Sequence, residues 1–440
     1  GYVALSLESA DGAPALSHDE VVTALEGQVD VVQRGTGTAG AETTVSAFTG
    51  VQTAIAVDSL YGQAAQKGDL GATFETGLLR SLAVWAPTAQ KVTLLTWVTG
   101  DPTGSVPEVS GDAVRHDAVR GDDGRWVVDN ADGAITAGSQ YLWEVTVYAP
   151  STGKIVTNTV TDPYSLALTL DSTRSVAVDL STAALAPQQW ASTASPKVSN
   201  DASRTIYELH VRDFSASDET VPADERGTYL AFTESGSDGM KHLAELAESG
   251  VDTVHLLPTF DIASIEENRS KQVTATVPDA GAASEEQQAA VASTAETDAY
   301  NWGYDPWHYT TPEGSYATDG NQDGGARTYQ FREMVGALHA TGLQVVLDEV
   351  FNHTAAAGQA DKSVLDKIVP GYYQRLDATG AVQTSTCCSN TATENAMAAR
   401  LMIDSVVTWA RDYHVDGFRF DLMGYHSVAT MKALRAALDS

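Results

Sequence analysis

The chain has 440 residues, 43% of them hydrophobic and 19% charged, with a formal net charge of −32. That length exceeds one ordinary domain and points to two or three, and the composition is that of a globular chain, not a disordered one. The charge argues against nucleic acid or an anionic membrane as partner, because both would repel it; acidic substrates are disfavoured too, and a neutral substrate such as a sugar fits best.

No stretch approaches the roughly 20 apolar residues needed to span a bilayer. The chain begins at Gly1 with no Met and no basic-plus-apolar leader, so no export signal is visible, although a removed one would leave no trace. The only cysteines are the adjacent Cys387 and Cys388. Neighbouring Cα atoms sit about 3.8 Å apart, below the usual disulfide range of about 4.4–6.8 Å. Geometry alone therefore favours two thiols, and there is no metal-type Cys spacing.

Residues 1–66 form an N-terminal segment of mixed α/β character. Its helix candidate is "SHDEVVTALEG", where Ser17 and Glu20 make a capping box. Residues 67–185 carry short alternating runs, "RSLAVWAP", "KVTLLTWV", "GRWVVDN" and "YLWEVTVYAP", spaced by Gly, Asp and Pro turns. This pattern predicts an antiparallel, immunoglobulin-like β-sandwich. Residues 186–203 read as a Pro/Ser-rich linker.

From 204 to 440 the grammar changes to strand, helix, strand, helix. Strands are expected over 205–214, 251–262, 343–353 and 415–423, and helices over 240–250, 327–342 and 394–414. Phe331, Val335 and Leu338 share one face of the second helix. This order implies parallel pairing with right-handed crossovers, as in a (β/α)8 barrel, of which about the first four units are present. A long insert, 263–326, interrupts the second unit. Its first part reads as solvated, and its second part, "YNWGYDPWHYTTPEGSY", is aromatic and should be ordered.

Polar residues gather where the strands end: His210, Arg212 and Asp213; His255 and Asp261; Asp348, Asn352 and His353; Arg419 and Asp421. Alternation puts Gly417, Arg419 and Asp421 on one face of the last strand and Phe418, Phe420 and Leu422 on the other. One such residue alone is more often a loop or ion-pair support; four strands converging on one mouth point to a site. An aromatic loop over carboxylates suits a sugar ring. Asp421 paired with Arg419 would stay ionised, as the nucleophile of a retaining glycosidase must.

"VVLDEVFNHT", "VDGFRFDLM", "YNWGYDP" and "YELHVRDFS" resemble the α-amylase superfamily, glycoside hydrolase family 13. "YNWGYDP" and "CCSNTATE" are similar to the pullulanases and limit dextrinases of that family, which cleave α-1,6 branch links. "FETGLLRSLAVWAPTAQKVTLLTW" resembles their starch-binding β-sandwich. The resemblance covers roughly residues 16–440 and is weaker over 35–50 and 263–299.

What the resemblance implies is a retaining hydrolase acting on pullulan, amylopectin or limit dextrins. Asp421 would be the nucleophile, Arg419 its orienting cation, and Tyr304 the platform under the sugar ring. His353 would bond sugar hydroxyls, with Asp348 and Asn352 either shaping the mouth or supporting its loops. Trp302 and Asp305 either order the aromatic loop or touch the ring. His426 either reaches substrate or packs at a helix start. The resemblance further implies that Cys387 and Cys388 can form a strained disulfide, in an oxidising compartment. It also implies an extracellular or cell-surface location, no cofactor for the chemistry, and a structural calcium whose ligands the residues do not name. Glu349 alternates away from Asp348, so no general acid is evident. The chain is therefore expected to be the N-terminal part of an enzyme whose second barrel half is a continuation or another segment. The alternatives are an α-1,4-acting amylase or transglycosylase, and an α-glucan-binding segment without turnover.

Overall fold

The computed structural model describes residues 16–34, 45–295 and 297–440. The segment expected over 1–66 falls partly on 1–15 and 35–44, which lie outside the described residues. Its helix runs His18–Leu25, and Ser17 and Glu20 close the capping box in both directions. Two otherwise orphaned N–H groups are thereby satisfied. Further on, Asp58 reaches across to the far end of the chain: its carboxylate accepts the Ala396 N–H at 3.0 Å and the Tyr372 hydroxyl.

Between Gly71 and Val176 the alternating runs form two antiparallel sheets. One orders Lys154–Val160, Gln140–Ala149, Ala89–Trp97 and Val114–Asp117, with Ser175–Val176 paired to Gln140–Ala149. The other orders Gly71–Glu75, Leu78–Trp85, Arg125–Asp129 and Val119–Arg120. Along Gln140–Ala149 the residues Tyr141, Trp143, Val145, Val147 and Ala149 are buried and those between are half-exposed. That period of two is the mark of a strand with one face in a core.

The second half contains a parallel sheet of β1 (Ile206–Leu209), β2 (Thr253–Leu256), β3 (Gln344–Glu349) and β4 (Gly417–Phe420), adjacent in that order. Helices α1 (Asp238–Glu248), α2 (Gly325–Ala340), α3 (Ala396–Tyr413) and α4 (Val428–Leu438) alternate with them. The strands are shorter than the sequence suggests, for local reasons. After β1, the His210 ring accepts the Asp213 N–H at 3.2 Å and starts a short helix, Val211–Ser215. Arg212 and Asp213 therefore lie on a helix and pair with each other, not on a strand end. After β2 the chain breaks and resumes as Phe260–Ile262, antiparallel to Pro306–Pro312. Leu422 closes β4 by entering the left-handed region at φ 45°, a costly conformation for a residue with a Cβ.

Phe331, Val335 and Leu338 of α2 are fully buried as expected, but so are Arg327 and Arg332 on its other sides. Arg327 is covered by the Pro312 and Thr169 carbonyls and Glu267, and Arg332 by the 180–185 turn together with the 186–203 stretch, which is a docked strap rather than a free linker. Arg332 donates to the carbonyls of Leu185 at 2.6 Å and Leu180 at 2.9 Å, and its guanidinium lies 4.3 Å from the Trp190 ring centroid. Gly336 passes so near the strap that a Cβ there would sit 2.7 Å from the Trp190 nitrogen.

One apolar core joins the sandwich to the second half: Trp85 meets Tyr372 edge-on at 4.8 Å, and Trp143 belongs to the same cluster as Met397 and Leu401 of α3. Val254, Leu256, Val345 and Leu347, packed against Phe331 and Trp409, form a second core between sheet and helices. The insert behaves in two parts as expected: 273–300 is largely exposed around a short helix, Glu286–Ala292, while Pro306–Pro312 is almost wholly buried. Among the described residues no helix is long and apolar enough to cross a membrane.

Candidate active site

Register places the charges. Glu208 of β1 pairs with His255 of β2, His255 with Val346 of β3, and Val346 with Gly417 of β4. Two residues on, Asp348 pairs with Arg419. Because alternate side chains share a face, Glu208, His255, Asp348 and Arg419 all project from the side of the sheet opposite the helix-packed core. Glu349 projects into that core, where its Oε2 finds no partner and burial pushes its carboxyl well above the usual range.

Arg419 Nη1 donates to both Asp348 oxygens, at 2.7 and 2.8 Å, and lies 3.1 Å from Asp421 Oδ1. Burial alone would lower the Arg419 pKa; the bond and charge of Asp348, with Tyr304 and Asp421, carry it above its ordinary value. Asp421 sits just past β4, its N–H donating to the Glu349 carbonyl at 2.9 Å. Asn352 Nδ2 donates to Asp421 Oδ2 and to its carbonyl, both at 3.1 Å. The Asp421 carboxylate is thus held on two sides, by a guanidinium and by an amide.

The aromatic loop lies against this pair. Tyr304 donates its hydroxyl to Asp348 Oδ2 at 2.6 Å, and burial followed by that bond raises its pKa. His353 is buried with both ring nitrogens engaged, Nδ1 with Asn352 Oδ1 at 2.6 Å and Nε2 with the Tyr304 carbonyl at 2.8 Å. A sugar hydroxyl would have to displace one of these. Burial lowers the His353 pKa, opposed by the Tyr304 carbonyl and the charges of Asp305 and Asp421.

Other predicted site residues stand further out. Trp302 is 64% exposed and donates to the Tyr300 hydroxyl at 2.7 Å. Asp305 accepts from Ser264 Oγ at 2.7 Å, and its carbonyl takes the Ala263 N–H, which favours the loop-ordering reading. His426 is buried before α4 against Thr393 Oγ1 at 2.8 Å, and burial with Arg375 nearby lowers its pKa to about 4. This matches packing at a helix start. Cys387 and Cys388 have their sulfurs 2.6 Å apart, and Cys387 Sγ lies 3.8 Å from His353 Nε2.

Asp261, expected at the mouth, is instead buried in a cluster with Glu267 and Glu313. This is the one all-carboxylate grouping among the described residues that tests the calcium expectation. Asp261 accepts from Ser172 Oγ at 2.5 Å and faces His308 Nδ1 at 2.6 Å. Glu267 accepts from the Asp171 and Gly314 N–H groups and from Arg327 at 2.9 Å, and Glu313 from those of Ile262 and Ser315. Every carboxylate oxygen has a donor, and Arg327 supplies the positive charge. The cluster does not fit a calcium ion, which would need those oxygens free.

Sequence reasoning missed the Asn352–Asp421 contact and the Glu208–His255 pair. Alternation along "YELH" and "TVHLL" carried a partial signal, since it sets Glu208 opposite Leu209 and His255 opposite Leu256, each facing away from an apolar neighbour.

Two antiparallel sheets joined through one core to a parallel sheet flanked by helices, with a carboxylate held by Arg419 and Asn352 where its last strand ends, define a two-part chain whose α/β half carries the site. No family model matches it. It is, however, similar to pullulanases over most of its own length. It is 41% identical to a pullulanase of Klebsiella pneumoniae over 424 residues, 87% of this chain and 38% of that one. It is also 41% identical to a chloroplastic pullulanase of Arabidopsis thaliana, over 89% of this chain and 40% of that one. A crystal structure of Klebsiella pneumoniae pullulanase complexed with maltotriose superposes with a TM-score of 0.84 at 37% identity, over 95% of this chain and 42% of that one. The chain thus spans about two fifths of the curated relatives it matches.

Proposed function

We propose that this chain carries the nucleophile half of a retaining glycoside hydrolase that cleaves α-1,6 links in pullulan, amylopectin or limit dextrins. In this reading residues 67–185 are an immunoglobulin-like, starch-binding type of sandwich, and 204–440 are the first four units of a (β/α)8 barrel. The observation that carries the reading is the Asp421 carboxylate, flanked by Arg419 at 3.1 Å and Asn352 at 3.1 Å beside the Tyr304 loop. The relatives' names and the maltotriose in a neighbour's crystal support the choice of glucan.

Asp421 attacks the anomeric carbon, the leaving oxygen takes a proton, and the resulting glycosyl ester is then hydrolysed. Arg419 and Asn352 aim the carboxylate; Tyr304, tied to Asp348, offers its ring to the sugar. His353 fixes the Tyr304 backbone and Asn352 together, and bonds a hydroxyl only by exchanging one of them. The proton donor is assigned to a later barrel strand, because Glu349 faces the helices. The chemistry needs no cofactor. An oxidising, extracellular setting would suit a Cys387–Cys388 disulfide at the rim.

The test is turnover of pullulan by a polypeptide joining this chain to the remaining barrel strands. Maltotriose should be released, and Asp421→Asn should lower kcat by about three orders of magnitude or more with KM little changed. Cleavage of amylose but not pullulan would reject the α-1,6 assignment.

A further inference from the structure

Beneath the carboxylate pair, His255 occupies a position that the proposed mechanism does not use. It is 8% exposed, yet both ring nitrogens face acids: Nδ1 lies 3.0 Å from Glu208 Oε2, and Nε2 lies 3.5 Å from Asp348 Oδ2. Nε2 is shut off from solvent and makes no hydrogen bond, which leaves it within ion-pair range of Asp348 alone on that side. A buried imidazole set between two carboxylates, one on each side of the ring, has its rotation biased by their charge, and a small shift would bring Nε2 within hydrogen-bond reach of Asp348.

We propose that His255, oriented by Glu208, is a positioning residue for the hydrolytic site. This inference rests on the glycoside hydrolase reading above. It acts through Asp348. That carboxylate has a fully buried side chain and receives Arg419 on both oxygens and the Tyr304 hydroxyl on Oδ2. Oδ2 thus lies between donors from above and the His255 ring from below. Remove the ring and nothing holds Asp348 from beneath; the carboxylate can turn toward Arg419 and Tyr304, and both follow. The 3.1 Å approach of Arg419 to Asp421 and the tilt of the Tyr304 ring then lose their common anchor. The chain Glu208–His255–Asp348–Arg419–Asp421 crosses all four parallel strands, so it also ties the aim of the nucleophile to correct registration of the sheet.

The experiment uses the polypeptide carrying this chain with the remaining barrel strands, assayed on pullulan and on amylose in parallel. His255→Leu should lower kcat about ten- to hundredfold while KM stays within about threefold, since orientation is lost and sugar contacts are not. His255→Gln, whose amide can still donate to Asp348, should recover most of that loss, and Glu208→Leu should give a smaller fall of the same kind. Thermal melting of each variant separates this from misfolding. A kcat for His255→Leu within about threefold of the parent overturns the inference, as do Leu and Gln variants that fall equally and only in step with their melting temperatures. If only amylose is cleaved, the debranching assignment fails while the kcat pattern on amylose still decides the role of His255.

Discussion

Asp348 and Arg419 are register partners on neighbouring parallel strands, and the guanidinium bonds Asp348 more closely than it approaches Asp421, at 2.7 and 2.8 Å against 3.1 Å. Arg419 is therefore not simply the companion of the nucleophile two residues later. Asp348, wholly buried in its side chain, is the fixed point, and the half-exposed guanidinium spans from it to Asp421.

Arg419→Lys tests that span. A lysine keeps the charge but is a compact point donor on a flexible stem one bond shorter than the path to Nη1, the nitrogen that faces both acids. Loss of one charge-assisted bond, about 1.5–3 kcal/mol, corresponds to roughly a ten- to hundredfold fall in kcat/KM on pullulan. Activity near the parent level would mean that charge alone suffices at this position.

The strap gives a stability test with a clear sign. Gly336 lies inside α2, where alanine ordinarily stabilises a helix by about 1 kcal/mol. Here the added Cβ would meet the Trp190 nitrogen at 2.7 Å and its Cα at 2.8 Å, both backbone atoms that cannot swing aside. Gly336→Ala should therefore destabilise by about 1–3 kcal/mol, read by denaturant unfolding. A neutral or stabilised variant would show that the strap is not seated on the helix.

Much of this was legible from the residues. Alternation through "VDGFRFDLM" placed Arg419 and Asp421 on one face, and helical spacing put Phe331, Val335 and Leu338 in the core. What alternation cannot supply is register between strands far apart in sequence, which is why the Asp348–Arg419 and Glu208–His255 partnerships surfaced only in the fold. His210 misled for a different reason: its ring caps a helix, so the run continuing to Asp213 reads as strand but folds as a turn of helix. Asp261 was expected at the mouth because it follows an apolar run, but the chain bends after Leu256 and buries it against His308. The strap looked like a linker by composition, and only the Trp190 contacts, its ring N–H donating to the Tyr413 carbonyl and its face meeting Arg332, reveal that it docks.

The buried carboxyl cluster should set a pH dependence of stability. Burial, with the charge of Asp261, pushes Glu313 up from an ordinary 4.5 to about 7 against the pull of its backbone donors and Arg327. A raised acid binds its proton more tightly when folded, so its contribution is present at low pH and is lost as pH rises from about 4.5 through 7. Thermal melts across that window should show the parent losing stability relative to Glu313→Gln as pH increases. Parallel curves would mean that Glu313 titrates alike in the folded and unfolded chain.

The most direct measurement is covalent capture of the glycosyl intermediate, using a slow fluorinated glucosyl substrate on the polypeptide completed with the remaining barrel strands, followed by peptide mapping. The sugar should be found esterified to Asp421 within "VDGFRFDLMGYH". Labelling at any other carboxylate, or turnover of the parent with no adduct that can be captured, would contradict the assignment on which the mechanism stands.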